Sequence, residues 1–425
     1  MVLTPKGRIM REASSAYAGT LTPTLSTKIH GGGVCIVQKR GVREEASAVK
    51  ANGKKKVFLM LSGGIDSGVA VPLLLSQGYD VEGCYMKGWA PDWVDCADPP
   101  ERQASFDIAK KFGIPWRFLN YSEIFFDRVF DPMLSGYFNG VTPNPDTACN
   151  SMIKFGLFAD FAFAAGAEFI ASGHYVRKTD DPLRLLVARD PKKDQSYFLY
   201  DVKSEVLRRS LFPIGGFIKK DETIAMARRF GLPDAVLNKR PTVDICFLLK
   251  KRAADGSTVG ERITMRELLE QEGERRGVTF AEGPITDERG VVLGKHDGVM
   301  LYSVTIGQKI GYNAATKIGI QGSGDRYYVA AKNVRENTIV VGSSHPRSSE
   351  VIVRDLNWIS GRPAFPFSGH ARIRTPQEMQ VCRAEEGANG TIRVFFTEKQ
   401  HSVAPGQALV LYDGETVLGG GIITR

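Results

Sequence analysis

The stretch VFLMLSGGIDSGVA, Val57 to Ala70, places Ser62, Gly63, Gly64, Asp66 and Ser67 directly after an apolar run. Following a strand, Ser62, Gly63 and Gly64 can turn tightly and present backbone N–H groups. A helix expected from Asp66 adds the positive end of its dipole. Such a cradle suits phosphate oxygens, and a Cβ at the turn would block their close approach. The loop lacks GK[ST], so it is not a Walker A sequence. The same residues would also serve a plain strand-turn-helix with Ser and Asp as caps. The second set of reactive groups is six cysteines: Cys35, Cys84, Cys96, Cys149, Cys246 and Cys382. They are far apart and form no CxxC pair. That spacing argues against a secreted disulfide framework and against a zinc site. It fits a reducing compartment with one or two chemically active thiols.

The elements that would position these groups follow a readable pattern. From Val57 to about Leu249, apolar strands alternate with helices. Strands are expected at VFLML, VEGCYM, WRFLN and EFIAS. Helices are expected at Asp66–Gln77, Glu101–Phe112, Ser122–Tyr137 and Ser151–Ala165. This implies a parallel sheet covered on both faces, with ligands at the carboxyl ends of its strands. After about Lys250 one helix is expected over Ile263–Glu274, then short strands with Gly-rich turns. RYYVAAKN and NTIVVGSS read as two strands around VREN. From Val351 the runs VIVRDLNWI, HARIRT, IRVFF, QALVLYDG and VLGGGII suggest a small antiparallel barrel or sandwich. The expected division is a leader over 1–56, a catalytic domain over 57–250, a central domain over 251–347 and a C-terminal barrel over 348–425.

The 425 residues carry a net charge of +9. Residues 1–56 hold 11 Lys/Arg against 3 Asp/Glu, so the remainder is near +1. Nucleic acid, if bound, must meet local patches rather than a generally basic body. The first 56 residues are rich in Ser, Thr, Gly and Ala without a clear period. They read as an organelle transit peptide, or as a disordered leader or the product of a start codon assigned too early. No apolar run is long enough to span a membrane.

The pattern SGGxDS resembles the pyrophosphate-binding loop of the ATP pyrophosphatase (PP-loop) superfamily. Further stretches narrow the resemblance: GVTPNPDTACNSMIKFG, ASGHYVR, KKDQSYFL and VDICFL, then GKHDGVMLYSVTIGQKIG and VAPGQALVLYDGETVLGGGII. Their order and spacing resemble those of the tRNA-specific 2-thiouridylases, which place sulfur on the wobble uridine of tRNA. The resemblance runs from Val57 to the C-terminus.

The resemblance implies an α/β fold in which a PP-loop ATP pyrophosphatase domain precedes a small central domain and a C-terminal β-barrel. It implies ATP held by Met60, Leu61, Ser62, Gly63, Gly64, Ile65, Asp66 and Ser67, with Met86 and Gly173, and Mg²⁺ as companion without a bound metal cluster. The chemistry it implies is adenylation of a uridine oxygen followed by sulfur attack. Cys246 would carry a persulfide, Cys149 would assist as nucleophile, and Asp146 would act as acid/base beside the base. The two thiols, 97 residues apart, must meet in space. tRNA would touch Asn144, Pro145, Asp146, His174, Lys193, Asp194, Gln195, Arg372, Arg374 and Gln407. A protein donor of persulfide sulfur, a monomer and no membrane are expected, in a bacterial cytoplasm or, if the leader is a transit peptide, a mitochondrial matrix.

Basic pairs at Lys192-Lys193, Arg208-Arg209, Lys219-Lys220, Arg228-Arg229, Lys239-Arg240 and Lys250-Lys251-Arg252 could supply phosphate attraction if several converge. Two departures stand out. HARIRTPQ lacks the aromatic usual in the family beside its arginines, and Asp244 and Leu249 flank the Cys246 motif where glycines are common. Two competing functions remain: another PP-loop ligase forming an amide or lysidine, which would not need Cys149 or Cys246, and a silent tRNA-binding protein that consumes no ATP.

Overall fold

The computed structural model describes residues 53–95, 98–238, 250–252, 258–312, 319–320, 326–375 and 377–424. Cys35, Cys96 and Cys246, with the leader and Lys239-Arg240, lie outside them.

After Lys56, strand β1 (Lys56–Met60) is apolar and buried because both its faces are covered. Phe58 and Met60 pack on one side with Phe155, Phe158 and Tyr197. Val57, Leu59 and Leu61 pack on the other with Val69, Leu74 and Ile108. β1 lies at the centre of a five-stranded sheet. Strand β2 (Asp80–Lys87) and then Trp116–Asn120 lie to one side, and Phe169–Ala171 and Ser210–Leu211 to the other. All four pairings are parallel. The strand order therefore reverses at β1, and the loop that leaves its carboxyl end opens at the switch point where such sheets bind ligands. Helix α1 (Ile65–Ser76) and helix α2 (Asp98–Phe112) follow β1 and β2.

A six-stranded sheet forms the centre of the chain. It contains the expected hairpin, Tyr327–Asn333 against Thr338–Gly342. Helix Met265–Arg275 precedes it, begun by a Thr264–Glu267 capping box. The C-terminal strands Arg347–Trp358, Ile392–His401, Gln380–Glu386, Phe367–Arg372, Ala408–Asp413 and Thr416–Ile423 pair in that order. The first also pairs with the last, so the sheet closes into a barrel.

Four expectations need correction. Strand Gln380–Glu386 was not anticipated, because its apolar positions are interrupted by Arg383 and Glu385–Glu386. Hairpin Arg177–Asp180/Leu183–Leu186 was also missed. It leaves the first domain and extends the barrel sheet through Leu186↔Thr416 and Leu185↔Val417. The helix expected over Ser151–Ala165 starts earlier, with one turn at Pro145–Ala148, and continues through a π-helical stretch, Cys149–Leu157. Cys149 is accordingly not on a loop, where the prolines of TPNPD had suggested it. Pro145 sits at the first helical position, where its fixed φ starts a helix rather than preventing one.

Candidate active site

The β1–α1 loop is a tight glycine turn leading to the amino end of α1. Gly63 has φ +77°, and a Cβ there would overlap the backbone carbonyl of Glu101 and lie 3.0 Å from Ser105 N. Only glycine lets the loop settle on the first turns of α2. Ser67 closes it: the Ser62 N–H donates to Ser67 Oγ at 3.2 Å, and Ser67 Oγ donates to Gly64 O at 3.2 Å. From below, Ser105 Oγ donates to Leu61 O at 2.7 Å. Gly173 backs the start of α1, where a Cβ would lie 2.7 Å from Ser67 N.

Asp66 points to partners the sequence did not reveal. Lys219 Nζ lies 2.6 Å from its Oδ2, and the Tyr175 hydroxyl donates to Oδ1 at 3.0 Å. Lys219 belongs to one of the basic pairs proposed for RNA, yet here it neutralises a carboxylate beside the cradle. Arg209 likewise turns inward. It donates to Glu168 O and Ala167 O and lies 3.5 Å above the Phe163 ring.

A cleft of about 370 Å³ runs from this loop toward the π-helical stretch. Met60, Leu61, Ser62, Asp66, Ser67, Met86 and Gly173 line it, together with Cys149, Lys154, His174 and Gln195. Residues separated by more than 100 positions thus share one cavity. Gly63 and Gly64 form the turn that precedes α1, and Ile65 opens that helix.

Cys149 is 8% exposed. Burial pushes its thiol above the usual cysteine value, opposed by the positive charge of Lys154. Burial also raises Asp146, again opposed by Lys154. His174, between the Phe155 ring and Ser172 Oγ at 2.9 Å, is held well below the usual histidine value by burial and by Lys154, so the ring is neutral. Cys84, by contrast, lies deep in the sheet, and burial pushes its thiol up to about 12, as expected of an inert core cysteine.

The remaining expected RNA contacts scatter. Asn144 caps the helical turn that leads to Cys149, accepting from Thr147 N at 3.3 Å. Pro145 is buried beneath it. Gln407 reaches across from the barrel, its Nε2 donating to Thr142 O at 3.0 Å. Asp194 and Arg372 form a buried ion pair at 2.5 Å, and Asp194 also accepts from Ala188 N and Ser196 N. Gln195 is tied to the Tyr175 backbone, while Lys193 is exposed. Arg374 is exposed and borders a second, polar cleft with Arg347, Lys399 and His401. Sequence reasoning missed Lys219, Tyr175 and Lys154. Lys154 lay in a stretch already singled out, but nothing linear tied it to the cavity.

Comparison with known proteins adds the lineage. Residues 55–250 match a family described as tRNA methyl transferase HUP domain, residues 274–343 a tRNA methyl transferase PRC-barrel domain, and residues 348–423 an aminomethyltransferase beta-barrel domain. A tRNA-specific 2-thiouridylase MnmA of Paracidovorax citrulli is 38% identical over 88% of this chain and 97% of its own. The protein of that name from Ralstonia pickettii is 40% identical over 87% of this chain and 96% of its own. That from Marinomonas is 36% identical over 91% and 96%.

Proposed function

Because the chain belongs to the family of tRNA-specific 2-thiouridylases, and is on that ground a tRNA sulfurtransferase of the PP-loop, ATP-using kind, we propose that it thiolates the wobble uridine through an adenylated uridine and a cysteine persulfide. The observation that carries this reading is the single cleft that joins the anion cradle to Cys149.

The uridine C2 oxygen is a poor leaving group. Its attack on the α-phosphorus of ATP forms an O–P bond and expels pyrophosphate, so the oxygen can later leave as AMP. The loop from Ser62 to Ser67 and the amino end of α1 would hold the phosphates, with Mg²⁺ sharing their charge. Met86 and Gly173 would border the nucleoside. Cys246 would carry the persulfide delivered by a donor protein. Cys149 thiolate would attack the Cys246 sulfur, forming a disulfide and releasing sulfide, which adds to C2 as AMP departs. A thiol reductant must then return two electrons to the disulfide. Cys246 lies outside the described residues, but the chain that follows it re-enters the fold at Lys250, paired with Asp95 on the segment that continues from the cleft residues Trp89 and Ala90.

Asp146 suits acid/base work because its raised value keeps a proton available closer to neutrality. Lys193 and Arg374 are exposed and available to phosphates, and the target base must leave the anticodon stack to reach the cleft. Asn144, Pro145, Gln195, Asp194, Arg372 and Gln407 would contribute chiefly by shaping the surface that receives tRNA. We place the reaction in a bacterial-type cytoplasm or a mitochondrial matrix, carried out by a monomer.

The test is thiolation of a tRNA transcript by the purified full chain with ATP, Mg²⁺ and a persulfide donor. 2-Thiouridine, AMP and pyrophosphate in equal amounts, lost in Cys149→Ser and Cys246→Ser, are expected. ATP turnover that leaves no sulfur on RNA would assign a different ligase chemistry.

A further inference from the structure

Lys154 lines the cleft beside Cys149, and no step above uses it. Its place follows from the π-helical stretch Cys149–Leu157. In an α-helix a residue five positions on lies about 140° around the axis, on another face. Bonding from i to i+5 widens the turn, which reduces that offset and brings such residues toward one face. The close approach of such residues is visible two positions along, where a Cβ on Gly156 would lie 2.7 Å from Ser151 O, five residues earlier. At the end of the stretch the Phe158 N–H donates to Ile153 O in the same register. Cys149 and Lys154 have this spacing, and both face the cleft. The ammonium makes no hydrogen bond or ion pair among the described residues.

We propose that Lys154 is the positioning residue that supplies the counter-charge to the Cys149 sulfur, so that a buried thiol can ionise in place. The proposal rests on Cys149 being the attacking thiol. A thiolate moved from water into this wall loses hydration, and a cation one π-turn away restores part of it. The thiol proton passes to water in the cleft. The charged groups that face Cys149 are Lys154 and Asp146, with opposite effects. Of the two, Lys154 acts more strongly on the sulfur. The π-helical insertion is what brings the lysine to this face.

The experiment is the pH dependence of Cys149 alkylation by iodoacetamide in the full chain, without ATP or tRNA, read by mass spectrometry on the Cys149 peptide. Wild type, Lys154→Met, Lys154→Gln and Lys154→Arg are compared. The neutral variants should move the midpoint upward by about one pH unit, which is roughly tenfold slower alkylation at a fixed pH below it. Arg should restore most of the rate. Two neutral side chains guard against one of them disturbing the helix. Superimposable profiles in all four proteins, with KM for ATP raised in the neutral variants, would overturn the proposal and give Lys154 to the phosphates. Thiolation that survives in Cys149→Ser would instead remove the underlying reading while leaving any alkylation shift in place.

Discussion

Gly63 and Gly78 both have positive φ, +77° and +85°, but only Gly63 has neighbours where a Cβ would stand. Alanine at Gly78 should cost about 1–2 kcal/mol, the strain of a left-handed conformation alone. Alanine at Gly63 should cost more in urea unfolding and abolish ATP turnover, because the loop must lift from α2. Wild-type ATP turnover in Gly63→Ala would count against the cradle. His174 gives a prediction with a definite sign. Its folded value lies well below 6.5, so the unfolded chain binds the proton first as pH falls. Stability should therefore drop below about pH 6.5, by up to roughly 1.4 kcal/mol per unit, until the folded value is passed. Thermal melts at pH 7.5 and 5.5 should differ less in His174→Gln than in wild type. An equal difference would mean that His174 is already charged in the folded state.

At the scale of elements, the decisive part is the segment from Thr142 to Leu157. It is held from outside the first domain. The Thr142 N–H donates to Pro405 O at 2.9 Å, the Thr142 and Thr305 hydroxyls are 2.8 Å apart, and Gln407 donates to Thr142 O. The barrel and the central sheet thus fix the entry to the turn that bears Asp146 and Cys149. Gln407→Ala should lose about 1–3 kcal/mol of stability through these bonds. We expect thiolation to fall at least tenfold while the Kd for tRNA stays within about threefold. A Kd that rises in step with lost activity would make Gln407 a direct RNA contact. The sequence showed where a helix would run here, but not that it contains a π-helical stretch. That stretch depends on packing against the Phe125–Tyr137 region and against Ile263, Leu268 and Leu269 of the central part of the chain.

Across the whole molecule, the first domain and the barrel share a core. Tyr197 sits with Ala408, Val410 and Tyr412, and its hydroxyl donates to Ala408 O at 2.9 Å. The Arg177–Leu186 hairpin continues the barrel sheet, and the buried Asp194–Arg372 pair crosses the same junction. Breaking that pair with Arg372→Met leaves a buried carboxylate without its cation, at a cost of about 3–5 kcal/mol. Unfolding should remain a single transition, because neither part keeps its core without the other. Two separated transitions in Arg372→Met, seen by calorimetry, would show that the units are energetically independent.

The parallel strands and helices of the first domain, the glycine turn at the end of β1 and most of the barrel strands were legible in the chain; strand Gln380–Glu386 and the Arg177–Leu186 hairpin were not. Hydrophobic period, turn residues and short motifs are local properties, and SGGIDS carries its own geometry. The partners were not legible. Lys219 and Arg372 read as cations for RNA, yet they neutralise Asp66 and Asp194, residues 153 and 178 positions away. Cys149 read as a loop thiol, yet it stands in a π-helical stretch that lines the same cleft as the β1–α1 loop. Burial and pairing are set by what the completed fold brings together, and low dielectric makes those distant pairs decisive. The sequence by itself determined which chemical groups the protein has; only the tertiary structure decided which of them are charged, which are matched with each other, and which are left facing the cleft.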